Sequence, residues 1–132
     1  MGGDARITVD GIGGFFFSSR DPARLTEWYA RHLGVVPPPT SYDGQVWRQE
    51  AGVTVVAVFP EEPDPDHIGP SGWGINFRVA DLDRLVAQLR ADEVEVTVNP
   101  ETYPNGRFAS LVDPEGNPLQ LWQPEGPAVG QP

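Results

Sequence analysis

Residues 74–89 read GINFRVADLDRLVAQL, and sixty positions earlier the chain follows a related course. At that offset Gly14 matches Gly74, Phe17 matches Phe77, Asp21 matches Asp81, Arg24 matches Arg84, Leu25 matches Leu85 and Val36 matches Val96. These positions belong to a strand, a helix start and a helix face, which predicts a duplicated supersecondary unit. Within 74–89 the reading is a strand over 74–79, then Asp81 as a helix cap. Leu82, Leu85, Val86 and Leu89 follow on one helical face.

The earlier copy supplies the same order. Phe15, Phe16, Phe17, Ser18 and Ser19 form a short run rich in β-favouring aromatics. Asp21 followed by Pro22 is a helix start, because the carboxylate accepts from free amides and proline presets the first helical φ. Leu25, Trp28, Tyr29 and Leu33 recur at helical spacing, and Gly34 ends the helix. Beyond a proline-rich connection, 45–50 and 53–59 read as a hairpin about Ala51-Gly52. The segment PEEPDPDHIGPSG, 60–72, is broken by prolines and acids and cannot extend a sheet. After it, 94–98, 108–112 and 119–123 read as strands. The last two flank the turn Asp113-Pro114-Glu115-Gly116-Asn117-Pro118. The domain reading is therefore one unit of 132 residues, with modules at 12–60 and 73–123, a linker at 61–72 and a loose tail at 124–132.

Composition excludes several function classes. The chain has no cysteine, so it holds neither a disulfide framework nor a thiolate metal site, and its histidines are His32 and His67 alone. A net charge of -10 repels nucleic acid and anionic membranes, and no stretch has the apolar length of a membrane span. The start MGGDARITVDGIGG carries no secretion signal, so a cytoplasmic setting is expected. His32 falls in the last turn of the first helix, where a cation suits the dipole. His67 lies with Asp64 and Asp66 in a loop expected to be solvated. Tyr42 and Tyr103 are available as acids or bases, with nothing to single out either.

The strand before Asp21, the Trp28-Tyr29 helix ending at Leu33-Gly34, the paired INFRVADLD and the late DPEGNPLQLW together resemble the vicinal oxygen chelate superfamily. That superfamily includes glyoxalase I, extradiol dioxygenases, fosfomycin resistance proteins and bleomycin-binding resistance proteins. The resemblance spans about residues 12–123. It implies an α+β fold of two βαβββ modules, whose sheets form a curved, open, barrel-like surface around a cavity with the helices outside. It also implies a homodimer. Metal-binding members place a ligand in the first strand of each module and a glutamate in the last strand. Carried onto this chain, those positions fall on Gly14, Gly74 and Gln120, so neither a metal nor another cofactor is expected.

Strand alternation then divides the side chains. Phe16, Ser18, Asn76, Arg78, Gln120 and Trp122 share the parity of the lost ligand positions and should face the cavity. Phe15, Phe17, Ile75, Phe77, Leu119 and Leu121 should meet the helices. Trp47 and Trp73 are further candidates for stacking on a planar ligand, with the amides and Ser18 giving directional hydrogen bonds. Arg78 could hold a ligand carboxylate or form a salt bridge within the protein. The expected function is metal-independent binding of a small organic, aromatic molecule. The alternatives are a metal-dependent lyase, isomerase or dioxygenase of the glyoxalase type, a metal-free biosynthetic enzyme, and an interaction module with a vestigial cavity.

Overall fold

Asp21 and Asp81 cap the two helices as their sequences require. In the computed structural model, which describes residues 6–126, α1 runs Pro22–Leu33 and α2 runs Leu82–Ala91. The Asp21 and Asp81 carboxylates accept from the amides of Arg24 and Arg84 at 3.2 and 3.1 Å, each cap stabilising its helix by about 1 kcal/mol. Gly34 ends α1 at φ 72°, where a side chain would be strained, and its amide donates back to the Ala30 carbonyl.

One sheet carries the architecture, built from β1 Ile75–Arg78, β2 Thr97–Val98, β3 Gly106–Val112 and β4 Pro118–Pro124. Its order is β1-β4-β3-β2, with β1 parallel to β4 and the other pairs antiparallel. The crossover from β1 through α2 makes a βαβββ unit of the second half of the chain. The sheet is curved and unclosed, with β1 and β2 as free edges. The α+β class with outer helices is therefore observed. The predicted strand at 94–98 is reduced to Thr97–Val98, because Val94 instead closes the end of α2 through its amide on the Leu89 carbonyl.

The first half differs from its sequence reading. The stretches 15–19, 45–50 and 53–59 lack strand pairing, and the hairpin about Ala51-Gly52 does not form. Val55, Val56 and Val58 are exposed. Their β-branched side chains favour extended backbone, but a ladder also requires a neighbouring strand to satisfy its amides and carbonyls. The described part of this chain offers those stretches none.

The core lies between the helices and the face of the sheet that carries Leu119 and Leu121. Leu82, Leu89, Leu119 and Leu121 are fully buried, and Leu25 and Tyr29 from α1 join the same cluster. Ile75 and Phe77 pack against it, so the predicted apolar parity of β1 and β4 holds. His32, in the last turn of α1, is half-buried, with Nδ1 3.5 Å from the Asp92 carboxylate, joining the ends of α1 and α2.

A second connection between the halves comes from the turn 113–117. Asp113, 2% exposed, accepts from the Tyr29 hydroxyl at 2.7 Å, from the amides of Glu115 and Asn117, and from Asn117 Nδ2. Glu115 reaches the start of α1, accepting from the Ser19 hydroxyl at 2.6 Å and from the amides of Arg20 and Asp21. The Ser19 hydrogen bond, followed by the two amides, holds the Glu115 carboxyl below its usual range. Because the folded state favours the carboxylate, this stabilisation is complete above the unfolded value of about 4.3 and is lost as pH falls through the lower folded value. Asp83, lowered by its hydrogen bond from Arg107, contributes with the same sign. Glu115→Gln should accordingly flatten the fall in melting temperature below about pH 4.5 without abolishing it. Thermal melts across that range check this, and an unchanged slope would contradict it.

Candidate functional site

Opposite the helices, the sheet presents a polar face that alternation alone creates. Register sets Asn76 of β1 beside Gln120 of β4, and Ser110 of β3 on the other side of Gln120. Trp122 lies between Arg78 and Phe108 in the next row. Asn76 Nδ2 donates to Gln120 Oε1 at 2.7 Å. That bond leaves the Asn76 carbonyl and the Gln120 NH2 without a partner among the described residues, so both are open to a ligand.

A cleft of about 430 Å3 opens along this face, lined by His67, Asn99, Tyr103, Asn105, Phe108 and Gln120. Its floor is aromatic. The Phe108 ring stacks on Trp122 at 6.1 Å and 3°, and Tyr103 meets Phe108 edge-on at 5.9 Å. Trp122 is 5% exposed and its Nε1 donates to the Asn105 carbonyl, so it supports Phe108 from beneath. Asn99 Nδ2 donates to the Tyr103 hydroxyl at 3.1 Å, fixing the rim. His67 enters from the proline-rich linker. Its Nδ1 lies 3.0 Å from Asp64 Oδ1, which orients the ring in the tight turn where the amides of His67 and Ile68 close on the Asp64 carbonyl.

The predicted residues are thus only partly assembled. Asn76, Arg78, Gln120 and Trp122 share the polar face. Ser18 is exposed, and the Phe16 side chain is 94% exposed away from any cluster. Trp73 packs on Phe17 and Phe15 at 4.5 and 5.3 Å, and Phe17 meets Tyr29, so Trp73 borders the core through Phe17. Phe15, expected against the helices, is half exposed because its stretch has no strand partner among the described residues to set its parity. Trp47 is 40% exposed on the unpaired stretch. Among the described residues Arg78 forms no salt bridge. It donates to the Glu50 carbonyl at 2.9 Å, and its guanidinium lies against Gly52, where a Cβ would collide with it.

Sequence reasoning noted His67 and Tyr103 without placing them here, and did not single out Asn99, Asn105 or Phe108. A signal for Phe108 existed, since an antiparallel hairpin about the 113–117 turn sets it opposite Trp122 and gives it the parity of Gln120. His67 had no local signal, because only the fold of 64–74 carries it to the sheet.

Glyoxalase-type metal chemistry requires donors at Gly14, Gly74 and Gln120, and these residues do not fit a metal centre. Gln120 Oε1 is already engaged by Asn76. At Gly74 a Cβ would run into the His67 carbonyl. Among the described residues no group of three His, Cys, Asp or Glu side chains is placed to hold a metal ion. Nor is any helix among them long and apolar enough to cross a membrane.

The sequence profile of the Glyoxalase/Bleomycin resistance protein/Dioxygenase superfamily matches residues 11–121. Among solved structures the chain is similar to TnmS3, an antibiotic binding protein from Streptomyces sp. CB03234. The identity is 25% and the TM-score 0.60, over 91% of this chain and 100% of that one. A glyoxalase/bleomycin resistance protein from the same strain is 24% identical, with a TM-score of 0.50 over 79% of this chain and 92% of that one. A glyoxylase/bleomycin resistance protein/dioxygenase domain from Frankia sp. EAN1pec is 15% identical, with a TM-score of 0.55 over 89% and 100%. These last two likenesses are of fold alone. No curated protein matches the chain.

Proposed function

The chain belongs to the Glyoxalase/Bleomycin resistance protein/Dioxygenase superfamily, and from that premise we propose that it binds a small, largely planar organic molecule on the polar face of its sheet without a metal. One observation carries the reading: Gln120, paired with Asn76, and Phe108, stacked on Trp122, line the same cleft of about 430 Å3 on neighbouring strands. An aromatic floor supplies sheltered contact area, and the unused carbonyl and NH2 fix orientation. The likeness to TnmS3, an antibiotic binding protein, supports antibiotics as the first compounds to try.

Titration with aromatic and glycopeptide antibiotics, followed by calorimetry on chelator-treated protein, tests this. Binding should survive chelation, and Asn76→Ala or Gln120→Ala should each weaken it about tenfold, the loss of a hydrogen bond worth roughly 1.4 kcal/mol. Binding that disappears with the chelator, or stoichiometric metal by elemental mass spectrometry, would restore the metal-dependent enzyme reading.

A metal-free enzyme is the second reading, favoured by the Asp64-oriented imidazole of His67 within the same cleft as Gln120. Recovery of the bound compound chemically unchanged separates binding from turnover. The reading also includes a cytoplasmic homodimer in which residues 12–60 behave as the first module. A second copy would give the exposed Val46, Val55, Val56 and Val58 a surface to cover them. A monomeric mass by light scattering at micromolar concentration would remove the dimer.

A further inference from the structure

The chain carries nineteen acidic residues against nine lysines and arginines, yet the polar face of the sheet has no carboxylate. Along it stand Asn76 and Arg78 from β1, Gln120 and Trp122 from β4, and Phe108 and Ser110 from β3. Thr97, opposite Ser110, extends it onto β2. The lining of the cleft is free of Asp and Glu as well. Acids do border the cleft, with Asp66 beside His67, Glu101 between Asn99 and Tyr103, and Asp64 and Glu50 approaching through the linker and the 45–59 stretch, but none of them lines it. Asp64 is engaged with His67 Nδ1 at 3.0 Å, and Glu50 touches the face through its backbone carbonyl on Arg78. The formal charge resident on this face is the positive charge of Arg78.

Resting on the binding reading above, we propose that this face selects uncharged or anionic planar ligands that carry oxygen acceptors, and discriminates against cationic ones. The net charge of the molecule points the other way, toward cations. That field acts on approach and is screened over roughly 8 to 10 Å at physiological salt. Within the cleft, the groups in contact with the ligand decide. A ligand ammonium there finds the neutral Asn76 carbonyl as an acceptor, but it also meets the Gln120 NH2, lies on the same face as Arg78, and has no carboxylate among the lining residues to replace its water. A ligand carbonyl, phenol oxygen or carboxylate finds a donor in the same place. Cation–π attraction is the competing term, but one face of Phe108 is covered by Trp122 and its surroundings include the edge of Tyr103. Bleomycin, a cation, is then the wrong kind of occupant.

A matched phenanthrene series tests the rule on the intact protein: phenanthren-9-ol, phenanthrene-9-carboxylate and phenanthren-9-ylmethylammonium, followed by tryptophan quenching and calorimetry at pH 7. The alcohol and the carboxylate should bind at least tenfold tighter than the ammonium. Gln120→Glu, which keeps an acceptor for Asn76 Nδ2, should shift the carboxylate-to-ammonium affinity ratio toward the ammonium by at least tenfold. Ser110→Asp, exposed and directly across from Gln120, should do the same if Gln120→Glu fails to fold. An ammonium that binds the wild type as tightly as its partners overturns the charge rule and leaves the binding reading standing. A preference that neither acidic variant moves overturns the assignment to this face. Binding by none of the three overturns the binding reading and this proposal together.

Discussion

Asp113→Ala should lower the unfolding free energy by about 3 to 4 kcal/mol, a large share of the roughly 5 to 15 kcal/mol that holds a domain of this size. The carboxylate removed is 2% exposed and accepts four hydrogen bonds, two from backbone amides of its own turn, one from Asn117 Nδ2 and one from the Tyr29 hydroxyl. Alanine would leave each donor buried or partly buried without an acceptor, and an unsatisfied buried donor costs more than the bond was worth. Burial first, and then the hydrogen bond to Asp113, push the Tyr29 hydroxyl well above its ordinary range, so it remains a neutral donor at every physiological pH. Tyr29→Phe should therefore cost less, about 1 to 2 kcal/mol, and should cost almost nothing in the Asp113→Ala background, since the two residues act as one unit. Urea melts of the three variants at constant m-value measure this. An Asp113→Ala protein within 1 kcal/mol of wild type would show that the turn does not fasten α1.

The second large effect is expected at Gly74. Its Cβ would meet the His67 carbonyl, a backbone atom that cannot rotate away. Gly74→Ala must displace either the start of β1 or the turn at 64–68, at a cost of about 2 to 3 kcal/mol as for other overpacked sites. Moving that turn also moves His67, so ligand affinity should fall together with stability, in contrast to Asn76→Ala. Thermal melts and calorimetry on the same samples separate the two. Gly74→His, which supplies a ligand where metal-binding relatives carry one, should unfold the junction more severely and take up no zinc. A well-folded Gly74→His protein with stoichiometric zinc would refute the steric account.

The 113–117 turn shows how a motif can be read correctly and assigned too little. Its Gly116 has the positive φ, 84°, that such a turn requires, and this was legible in the letters DPEGNP. That Asp113 accepts from Tyr29 and Glu115 from Ser19 was not, because those contacts span 84 and 96 positions. The candidate site divides in the same way. Parity placed Asn76, Arg78, Gln120 and Trp122 on one face, since the two strands that carry them pair in register. Parity did not foresee that Trp122 would stack with Phe108 or that Trp73 would pack on Phe17.

The sequence by itself determined the two capped helices, the alternation of β1 and β4, the tight turn between β3 and β4, and membership of a βαβββ family. Each follows from interactions within a few residues or from a period that a local window contains. Only the tertiary structure decided that residues 45–59 find no ladder partner in the described chain, that Arg78 spends a hydrogen bond on the Glu50 carbonyl, that His67 reaches the cleft, and that an acidic protein keeps its carboxylates off one face. Those outcomes depend on which distant segment satisfies each backbone group and each charge, and that is settled only when the chain has closed on itself.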